Sequence, residues 1–262
     1  MYALERHDSI GELLRTEGRV VVAELAERFD VTTETIRRDL DALESAGLLQ
    51  RVHGGAVAAG HSSVTELSLD EREQQQTPSK SAIAKAAARL VPSTFVGSIA
   101  LDAGTTTAEI AAELASWTPA REGTLLTVVT NAVPIAALLQ HSPHIDLRLL
   151  GGRVRGLTSA AVGTATVEQI TALRPDIAFV GTNGISAGFG LSTPDELEGA
   201  VKTAYIRAAR RVVAVADATK HGDEALTRFA RLDELDTVIT DAAPPVDLQV
   251  ALDEAGVEVI VA

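Results

Sequence analysis

The sequence predicts an α/β fold in two parts: a small helical module with a β-hairpin, and a larger domain in which strands and helices alternate. Helical periodicity early in the chain is interrupted by glycines, whereas short apolar runs alternate with helical patterns further on. A polar run at 70–76 fits neither pattern, so residues 58–78 are assigned to a linker that contains some helix. The 262 residues suffice for a small domain, 1–57, and a medium one, 79–262.

Three helices and a hairpin are predicted in the N-terminal module. A serine followed three residues later by a glutamate indicates a capping box, which places the start of the first helix at Ser9. Apolar residues at helical spacing predict a second helix over 22–29. Thr32 is a favourable N-cap for a third helix, and Gly47 is placed to end it. The stretch 48–57 then alternates as two strands around a Gly-Gly turn.

The second and third helices are joined by the two-residue turn Asp30-Val31, which is the spacing of a helix-turn-helix motif. Ile36, Leu40 and Leu43 share one face of the third helix and are predicted to be buried. The polar face would enter the major groove of DNA, and the hairpin would complete a winged helix-turn-helix. The candidate DNA-contacting residues are Thr33, Glu34, Thr35, Arg37 and Arg38 on the helix, with Arg51 and His53 on the wing.

Charge is the main objection to a DNA-binding module. The chain carries a formal net charge of −13, and its first 57 residues contain seven arginines against eleven acidic residues, a net charge of −4. Phosphate repels such a surface at long range, so the cations must be concentrated where DNA is contacted. The alternative is that Arg37 and Arg38 form a solvated face paired with Glu34 and Asp41. A dimer that supplies two modules would offset weak binding by each one.

Seven short apolar runs are the predicted strands of the larger domain. Several are near-continuous stretches of Val, Ile, Leu and Ala, which are typical of a parallel sheet covered by helices on both faces. The predicted strands are 95–102, 125–130, 146–150, 176–181, 211–217, 237–241 and 258–261, and the predicted helices include 80–90, 106–115, 133–139 and 196–209.

A threonine-rich turn follows the first of these strands. In LDAGTTTAEIA, which begins at Leu101, free backbone N–H groups at a helix N-terminus can bind an anion, and the threonine hydroxyls can add donors. The residues concerned are Gly104, Thr105, Thr106 and Thr107. The alternative, on the motif alone, is a threonine-capped helix without a ligand.

Residues at other strand ends point to the same edge of the sheet. Ligand sites in open α/β sheets form outside the carboxyl ends of strands, so several such residues predict one shared pocket. They are Asn131, Gly151, Gly152, Asp217 and Lys220. Lys220 would supply a cation for a phosphate. Glu198 and Lys202, four residues apart on one predicted helix, either contribute to the pocket or form a surface ion bridge.

Several protein classes are disfavoured. The absence of cysteine excludes disulfides and thiolate metal sites and fits a reducing cytosol. Charges near the N-terminus argue against a signal peptide, and no uncharged run is long enough to span a bilayer, so we expect a cytoplasmic protein without a membrane partner. His141 and His144 lack a nearby third ligand, and no Walker loop, GxSxG elbow or complete dinucleotide motif occurs in a supporting context. We therefore expect no metal and no cofactor.

Both parts of the chain resemble one family. The segment VVVAELAERFDVTTETIRRDLDALESAGLLQRVHGGAV, with TIRRDL at 35–40 and RVHGGA at 51–56, is similar to the DNA-binding domain of the DeoR family of bacterial sugar-metabolism regulators. The motifs LDAGTTT, VVTN, LLGG and VADATK, together with residues 190–202, resemble the sensor domain of that family. The resemblance covers nearly the whole chain apart from the linker and the C-terminal tail.

The resemblance also implies a ligand. The sensor of the family is similar in fold to ribose-5-phosphate isomerase, which implies a sugar phosphate with its phosphate at 104–107 and with Asp102, Asn131 and Lys220 near the sugar. The related isomerases carry an acidic DGADE-like motif after a central strand, where this chain has VGTNG at 180–184 and no carboxylate. A proton transfer between carbons needs such a base, so the comparison implies binding without catalysis.

The expected function is repression of a sugar-catabolism operon, relieved by a phosphorylated sugar. The expected partners are double-stranded operator DNA, the sugar phosphate and further copies of the chain in a homodimer or homotetramer. The opening Met1-Tyr2-Ala3 with Glu5-Arg6 resembles actinobacterial members of the family linked to fructose use, which implies fructose 1-phosphate as the first effector to test. The alternative is a sugar-phosphate isomerase-like enzyme with a DNA-binding arm, and activation instead of repression stays open.

Overall fold

The computed structural model describes residues 2–17, 19–52, 54–58, 63–64 and 66–262. Contacts divide the chain into two compact units, residues 1–65 and residues 66–262, and each unit has hydrophobic packing of its own. Within the described residues, no helix combines the length and the apolar character that are needed to cross a membrane.

The first unit contains helices and a three-stranded antiparallel sheet. Its elements are α1 (Ala3–Glu17), β1 (Arg19–Val21), α2 (Val22–Phe29), α3 (Thr33–Ser45), β2 (Leu49–Val52) and β3 (Gly55–Ala58). The strands lie in the order β1-β3-β2. The predicted second helix, third helix and hairpin are confirmed. β1 is not recognisable in the sequence, because three residues carry too little periodicity.

The first helix begins earlier than the sequence predicts. α1 starts at Ala3, so Ser9 lies inside the helix and the prediction that it caps the helix is wrong. The stretch 3–8 contains Ala, Leu, Glu and Arg, which favour helix, and the backbone N–H of Tyr2 donates to Glu5 Oε2 at 2.9 Å. Glu5 also places a negative charge in the first turn, where the helix dipole favours it.

The turn between α2 and α3 depends on local backbone chemistry. Asp30 lies in the left-handed region at φ 51°, and Thr32 Oγ1 accepts a first-turn N–H of α3 at 3.2 Å. Thr32 is therefore the predicted N-cap. Gly47, at φ 72°, follows α3 in a conformation that favours glycine. The core residues predicted on α3 are buried: Ile36, Leu40 and Leu43.

A buried ion pair connects α1 to α3. The Arg6 guanidinium donates to both carboxylate oxygens of Asp39, from Nε at 2.7 Å and from Nη2 at 3.1 Å, and His7 Nε2 lies 3.0 Å from the same carboxylate. Arg6 and Asp39 are 7% and 6% exposed. Burial alone would raise the pKa of Asp39, but the hydrogen bonds from Arg6 and His7 outweigh burial and lower that pKa.

The second unit is a three-layer α/β domain. Its strands are β4 (Ser98–Leu101), β5 (Leu126–Thr130), β6 (Ile145–Leu149), β7 (Arg153–Arg155), β8 (Ala160–Val162), β9 (Ile177–Gly181), β10 (Gly184–Ser186), β11 (Gly190–Thr193), β12 (Arg211–Val215), β13 (Thr227–Ala230), β14 (Thr237–Thr240) and β15 (Glu258–Val261). Its α-helices are α4 (Leu69–Gln74), α5 (Thr77–Ala88), α6 (Thr105–Leu114), α7 (Val133–Leu139), α8 (Thr164–Thr171), α9 (Glu196–Ala208) and α10 (Val246–Glu254). Short 3-10 turns at Ala218–Lys220 and Leu232–Glu234 follow β12 and β13.

A parallel sheet of seven strands forms the middle layer, in the order β15-β14-β12-β9-β4-β5-β6. One face packs against α5, α6 and α7, and the other packs against α8, α9 and α10. Each of the seven predicted strands is confirmed as a member of this sheet. The apolar residues of the inner strands are buried on both faces, which explains their near-continuous hydrophobic runs.

The elements that the sequence does not reveal are short or depend on distant partners. β7 pairs with β8 as a hairpin, and β10, β11 and β13 form a separate antiparallel sheet. Strands of three or four residues carry little alternation, and α9 and β12 separate β13 from its partner β11. α4 and the start of α5 belong to the second unit, so residues 66–78 of the expected linker fold with that unit.

Asp39→Ala is expected to destabilise the first unit by about 3–5 kcal/mol, because it removes the carboxylate that accepts two hydrogen bonds from the buried Arg6 guanidinium. The single tryptophan, Trp117, is buried in the second unit, so its fluorescence reports on that unit. Urea titration by far-UV CD should show an earlier transition, while Trp117 fluorescence should keep the wild-type midpoint. Asp8→Ala, at an exposed position of α1, is the control and should change stability by less than about 0.5 kcal/mol. A wild-type CD transition for Asp39→Ala would contradict the importance of the pair.

Candidate functional site

A cleft of about 630 Å³ opens at the carboxyl edge of the seven-stranded sheet. It lies where the strand order reverses: β5 and β6 follow on one side of β4, and β9 and β12 lie on the other. Open α/β sheets bind ligands at such a point. The lining residues are Arg72, Gln75, Gln76, Lys80, Ala103, Gly104, Thr105, Thr106, Gly181, Thr182, Asn183, Glu198, Lys202, Val215, Ala216, Asp217 and Lys220.

The start of α6 brings backbone donors to the cleft. Gly104 is the N-cap of α6 and offers no side chain to the first-turn N–H groups. Thr105 and Thr106 line the cleft, and the helix dipole adds positive potential at this end. The Thr107 hydroxyl instead donates to the carbonyl oxygens of Asp102 and Gly104, at 2.9 and 3.0 Å. The turn can therefore bind an anion, and Thr107 stabilises the shape of the loop.

The Lys202 side chain joins three elements around the cleft. From α9, its Nζ contacts the Asp102 carboxylate at the end of β4 and donates to the Gly181 carbonyl oxygen of β9 at 2.9 Å. Asp102 Oδ2 accepts the Gly181 N–H at 3.0 Å, whereas Oδ1 is buried without a hydrogen-bond partner among the residues that the structure describes. Glu198 and Lys202 are 4% and 5% exposed, so the alternative of a surface bridge between them is wrong.

Glu198 lines the cleft and forms an ion pair with Arg155, which does not line it. Its Oε1 accepts from Arg155 Nη1 at 3.2 Å and from the Thr158 hydroxyl. Arg155 also pairs with Glu66 Oε2 at 2.7 Å and with Asp195 Oδ2 at 3.1 Å. Burial raises the pKa of Glu66, the nearby Glu198 raises it further, and the arginines oppose both effects.

Cations other than Lys202 also line the cleft. Lys80 Nζ donates to the carbonyl oxygens of Arg72 and Gln75, the latter at 2.7 Å, and burial lowers the pKa of Lys80. Arg72 lies 3.6 Å from Glu66, and its Nε and Nη2 have no hydrogen-bond partner in the described part of the chain. Lys220, on the 3-10 turn after β12, has a partly exposed side chain that makes no ion pair with the described residues.

Part of the lining comes from the stretch that the sequence assigns to a linker. Gln76 adopts a left-handed conformation at φ 53°, which turns the chain from α4 into α5 and into the wall of the cleft. The signal in the sequence is the polarity of 70–76, but an exposed connection would be equally polar. The lining residues with polar side chains that the sequence did not indicate are Arg72, Gln75, Gln76, Lys80, Thr182 and Asn183.

The remaining predicted strand-end residues take different positions. Asp217 lines the cleft and caps the 3-10 turn that follows β12. Asn131 borders an adjoining cavity of about 180 Å³, where its Nδ2 donates to the Ala161 carbonyl oxygen at 2.9 Å. Gly151 and Gly152 line neither cavity, because β6 is an edge strand, two positions from the point of reversal. The predicted ligand contact of these two glycines is therefore not supported by their position. They lie against α8, where the Thr166 hydroxyl donates to the Gly151 carbonyl oxygen at 2.8 Å.

In the first unit, the polar face of α3 presents its arginines to solvent. The side chains of Arg37 and Arg38 are 54% and 80% exposed and lie 3.7 and 3.6 Å from Glu34, which is 62% exposed. Exposed ion pairs contribute about 0–1 kcal/mol, so both guanidinium groups are available to a partner. Thr33 is exposed beside them, and Thr35 is half-buried in the first turn, where its backbone N–H donates to the N-cap Thr32.

Arg51 ties the wing to α3. Its guanidinium contacts the Asp41 carboxylate and donates to the Arg37 carbonyl oxygen at 3.3 Å, and its backbone N–H donates to Glu44 Oε1 at 2.8 Å. These contacts position the wing against the helix, a role that the sequence did not indicate. The DNA contact expected of Arg51 stays a prediction, and His53 lies outside the described residues.

Two family descriptions match the chain. The description "DeoR-like helix-turn-helix domain" matches residues 6–61, which include α2, α3 and the wing. The description "DeoR C terminal sensor domain" matches residues 75–242, which include most of the parallel sheet and the cleft.

Relatives match over nearly the full length. The HTH-type transcriptional regulator GlpR of Haloferax volcanii is 35% identical over 261 residues, 99% of this chain and 98% of that protein. The glycerol-3-phosphate regulon repressor of Escherichia coli is 33% identical over 252 residues, 96% of each. A solved structure, ribose 5-phosphate isomerase A from Methanocaldococcus jannaschii, is 20% identical with a TM-score of 0.38 and covers 54% of this chain and 52% of that one, which carries no inference about activity. On its family matches and these relatives, the chain belongs to the DeoR family of transcriptional regulators, with a DNA-binding helix-turn-helix domain followed by a sensor domain.

Proposed function

We propose that this protein represses an operon of sugar metabolism and that a phosphorylated sugar relieves the repression. α3 and the wing would bind the operator, and the cleft of the sensor domain would bind the sugar phosphate. The observation that carries the proposal is the chemistry of the cleft, whose lining combines the first turn of α6 with cations suited to an anion. The adjoining cavity adds Asp102, whose buried Oδ1 has no hydrogen-bond partner among the described residues.

A phosphorylated sugar that reaches from the cleft into the adjoining cavity would satisfy both features. Its phosphate would accept hydrogen bonds from the first turn of α6, at Thr105 and Thr106, and from the Lys220 ammonium. A sugar hydroxyl would donate to Asp102 Oδ1, whose burial without a donor costs free energy. A free sugar lacks the first contact and inorganic phosphate lacks the second, so each should bind more weakly than the combined ligand.

The names of relatives support repression. Similar proteins are named as repressors of the glycerol-3-phosphate regulon, of the aga operon and of the lactose phosphotransferase system. These names favour repression over activation and an operon of sugar metabolism. Fructose 1-phosphate is the first compound to test, on the resemblance at the N-terminus, and free fructose is its control.

The contacts of the cleft disfavour the isomerase alternative. Moving a proton between adjacent carbons needs a carboxylate positioned to act as a base. The Asp102 carboxylate pairs with Lys202, and the Glu198 carboxylate pairs with Arg155. We propose binding without turnover, which conversion of ribose 5-phosphate by the purified protein would contradict.

A homodimer or homotetramer is part of the proposal. The first 57 residues carry a net charge of −4, so one module would bind DNA weakly. Two modules in one assembly would raise the effective concentration of the second at its half-site.

Arg38→Ala is expected to weaken operator binding by about tenfold or more, because a bidentate arginine–guanine contact contributes about 1–3 kcal/mol. Arg38→Lys keeps the charge without the two parallel donors, so it should retain binding to any duplex and lose discrimination. Fluorescence anisotropy with operator and scrambled duplexes measures both quantities. Arg231→Ala, an exposed arginine of the sensor domain, is the charge control. Wild-type operator affinity in Arg38→Ala would exclude Arg38 from the interface.

Lys220→Ala is expected to raise the effector concentration needed to release the operator by about tenfold or more, because a charge-assisted hydrogen bond to phosphate is lost. Thermal unfolding checks this independently, since a ligand at a hundredfold excess over Kd stabilises the native protein by about 2.7 kcal/mol. Operator affinity without effector should stay at the wild-type value.

Lys85→Ala is the matched control for Lys220→Ala, because Lys85 is an exposed lysine of α5 that does not line the cleft. Its unfolding shift with the sugar phosphate should equal that of the wild type. An equal shift in Lys220→Ala would mean that Lys220 does not bind the effector.

A further inference from the structure

We propose that Arg72 binds the anionic group of the effector and that its partner Glu66 transmits this binding to the chain that leads into the DNA-binding unit. The inference rests on the proposed function, because it concerns how occupation of the same cleft regulates operator binding. It assigns a ligand contact and a coupling role to residues of the stretch that resembles a linker.

The Arg72 side chain has donors without acceptors. It lines the cleft from α4, and its Nε and Nη2 atoms are buried with no hydrogen-bond partner among the described residues. Its contact with Glu66 spans 3.6 Å between Nη1 and Oε1, which is longer than a normal hydrogen bond. Buried donors without acceptors cost free energy, and a phosphate offers oxygens in the geometry that a guanidinium prefers. Arg72 is therefore suited to take an oxyanion from the cleft.

Glu66 is shared between two arginines. Its side chain is 2% exposed and lies 2.7 Å from Arg155 and 3.6 Å from Arg72. Arg155 continues to Glu198, which lines the cleft, at 3.2 Å. Arg72, Glu66, Arg155 and Glu198 thus form a charge chain that begins and ends in the lining of the cleft. Its two inner members, Glu66 and Arg155, do not line the cleft.

An anion that binds Arg72 competes with Glu66 for the same guanidinium. The attraction of Arg72 for Glu66 is then divided between two negative groups, while Arg155 keeps its contact with Glu66. A buried carboxylate is stabilised by its cationic partners. When the contact with Arg72 weakens and the contact with Arg155 stays, a position of Glu66 further from Arg72 is favoured. The effector would therefore bind more tightly to the arrangement in which Glu66 has moved away from Arg72.

Because Glu66 lies at the start of the second unit, its movement would be passed to the chain that precedes it. The first compact unit ends at residue 65, and Glu66 is the first residue of the second unit. A displacement of its backbone acts through the covalent chain on the segment that leads to the helix-turn-helix. The charge chain therefore links occupation of the cleft to the connection between the units.

Glu66→Gln tests the coupling, because it removes the charge and keeps the size of the side chain. The probe is whichever of fructose 1-phosphate, glycerol 3-phosphate and ribose 5-phosphate most raises the unfolding midpoint of the wild-type full-length protein. The variant should bind that probe at least as tightly as the wild type, because Arg72 no longer has to leave a carboxylate. The probe concentration that releases half of the operator should rise by about tenfold or more, within the usual range of allosteric coupling.

Arg72→Gln tests the anion contact separately. Its affinity for the same probe and for inorganic phosphate should fall by about tenfold, because charged hydrogen bonds to one group are lost. Asp233→Asn is the matched control for both variants, because it removes a carboxylate from an exposed ion pair with Arg231 in the same unit. It should leave probe affinity and operator release at wild-type values.

Each outcome separates the inference from the proposed function. A wild type that binds operator but none of the three phosphates overturns the proposed function, and the inference falls with it. A responsive wild type with an equally responsive Glu66→Gln overturns the coupling alone, and wild-type phosphate affinity in Arg72→Gln overturns the anion contact. If Trp117 fluorescence shows that Glu66→Gln unfolds early, Arg155→Lys is expected to uncouple release in its place, and normal release by that variant overturns the coupling.

Discussion

The buried contact between Lys202 and Asp102 is the interaction that holds the elements around the cleft together. A buried lysine or aspartate is unfavourable without a partner, so each is retained because the other is present. The pair also binds both backbone groups of Gly181, which fixes α9 against the ends of β4 and β9. Asp102 Oδ1 has no hydrogen-bond partner within the described part of the chain, so the arrangement that stabilises the domain leaves an acceptor at the adjoining cavity.

The arginines of the first unit divide into buried or tethered ones and exposed ones, which is how a DNA-binding domain of net negative charge can still present cations. Arg6 and Arg51 are used inside the first unit, where they hold α1 and the wing against α3. Arg37 and Arg38 are left exposed with weak contacts to a single glutamate. Arg6 and Arg51 keep α3 in place, and Arg37 and Arg38 are exposed to solvent.

The segment from Glu66 to Lys80 has two physical roles at once. It is polar and short of core residues, as a connection between domains is, yet it forms one wall of the cleft. Lys80 holds the end of α4 through carbonyl oxygens, and Arg72 holds Glu66. The wall of the cleft is therefore made from the start of the second unit, next to the chain that precedes it.

Local sequence patterns were sufficient to predict the elements whose signals lie within one short segment. The seven strands of the sheet carry long apolar runs, and the helix-turn-helix is encoded by helical spacing, the Thr32 cap and the Gly47 terminus. Strand order at the sheet edge then predicted Gly104, Asp217 and Lys220 around one cleft.

The contacts between side chains from distant parts of the chain became visible in the folded protein alone. Arg6 and Asp39 are 33 residues apart, and Lys202 and Asp102 are 100 residues apart, so no local pattern encodes either pair. The same holds for the charge chain behind the cleft and for Gly151, which the edge position of β6 removes from the site. The periodicity of apolar residues predicts which face of one helix or strand is buried. It does not predict which side chains of distant elements contact each other, because those contacts depend on how the elements pack.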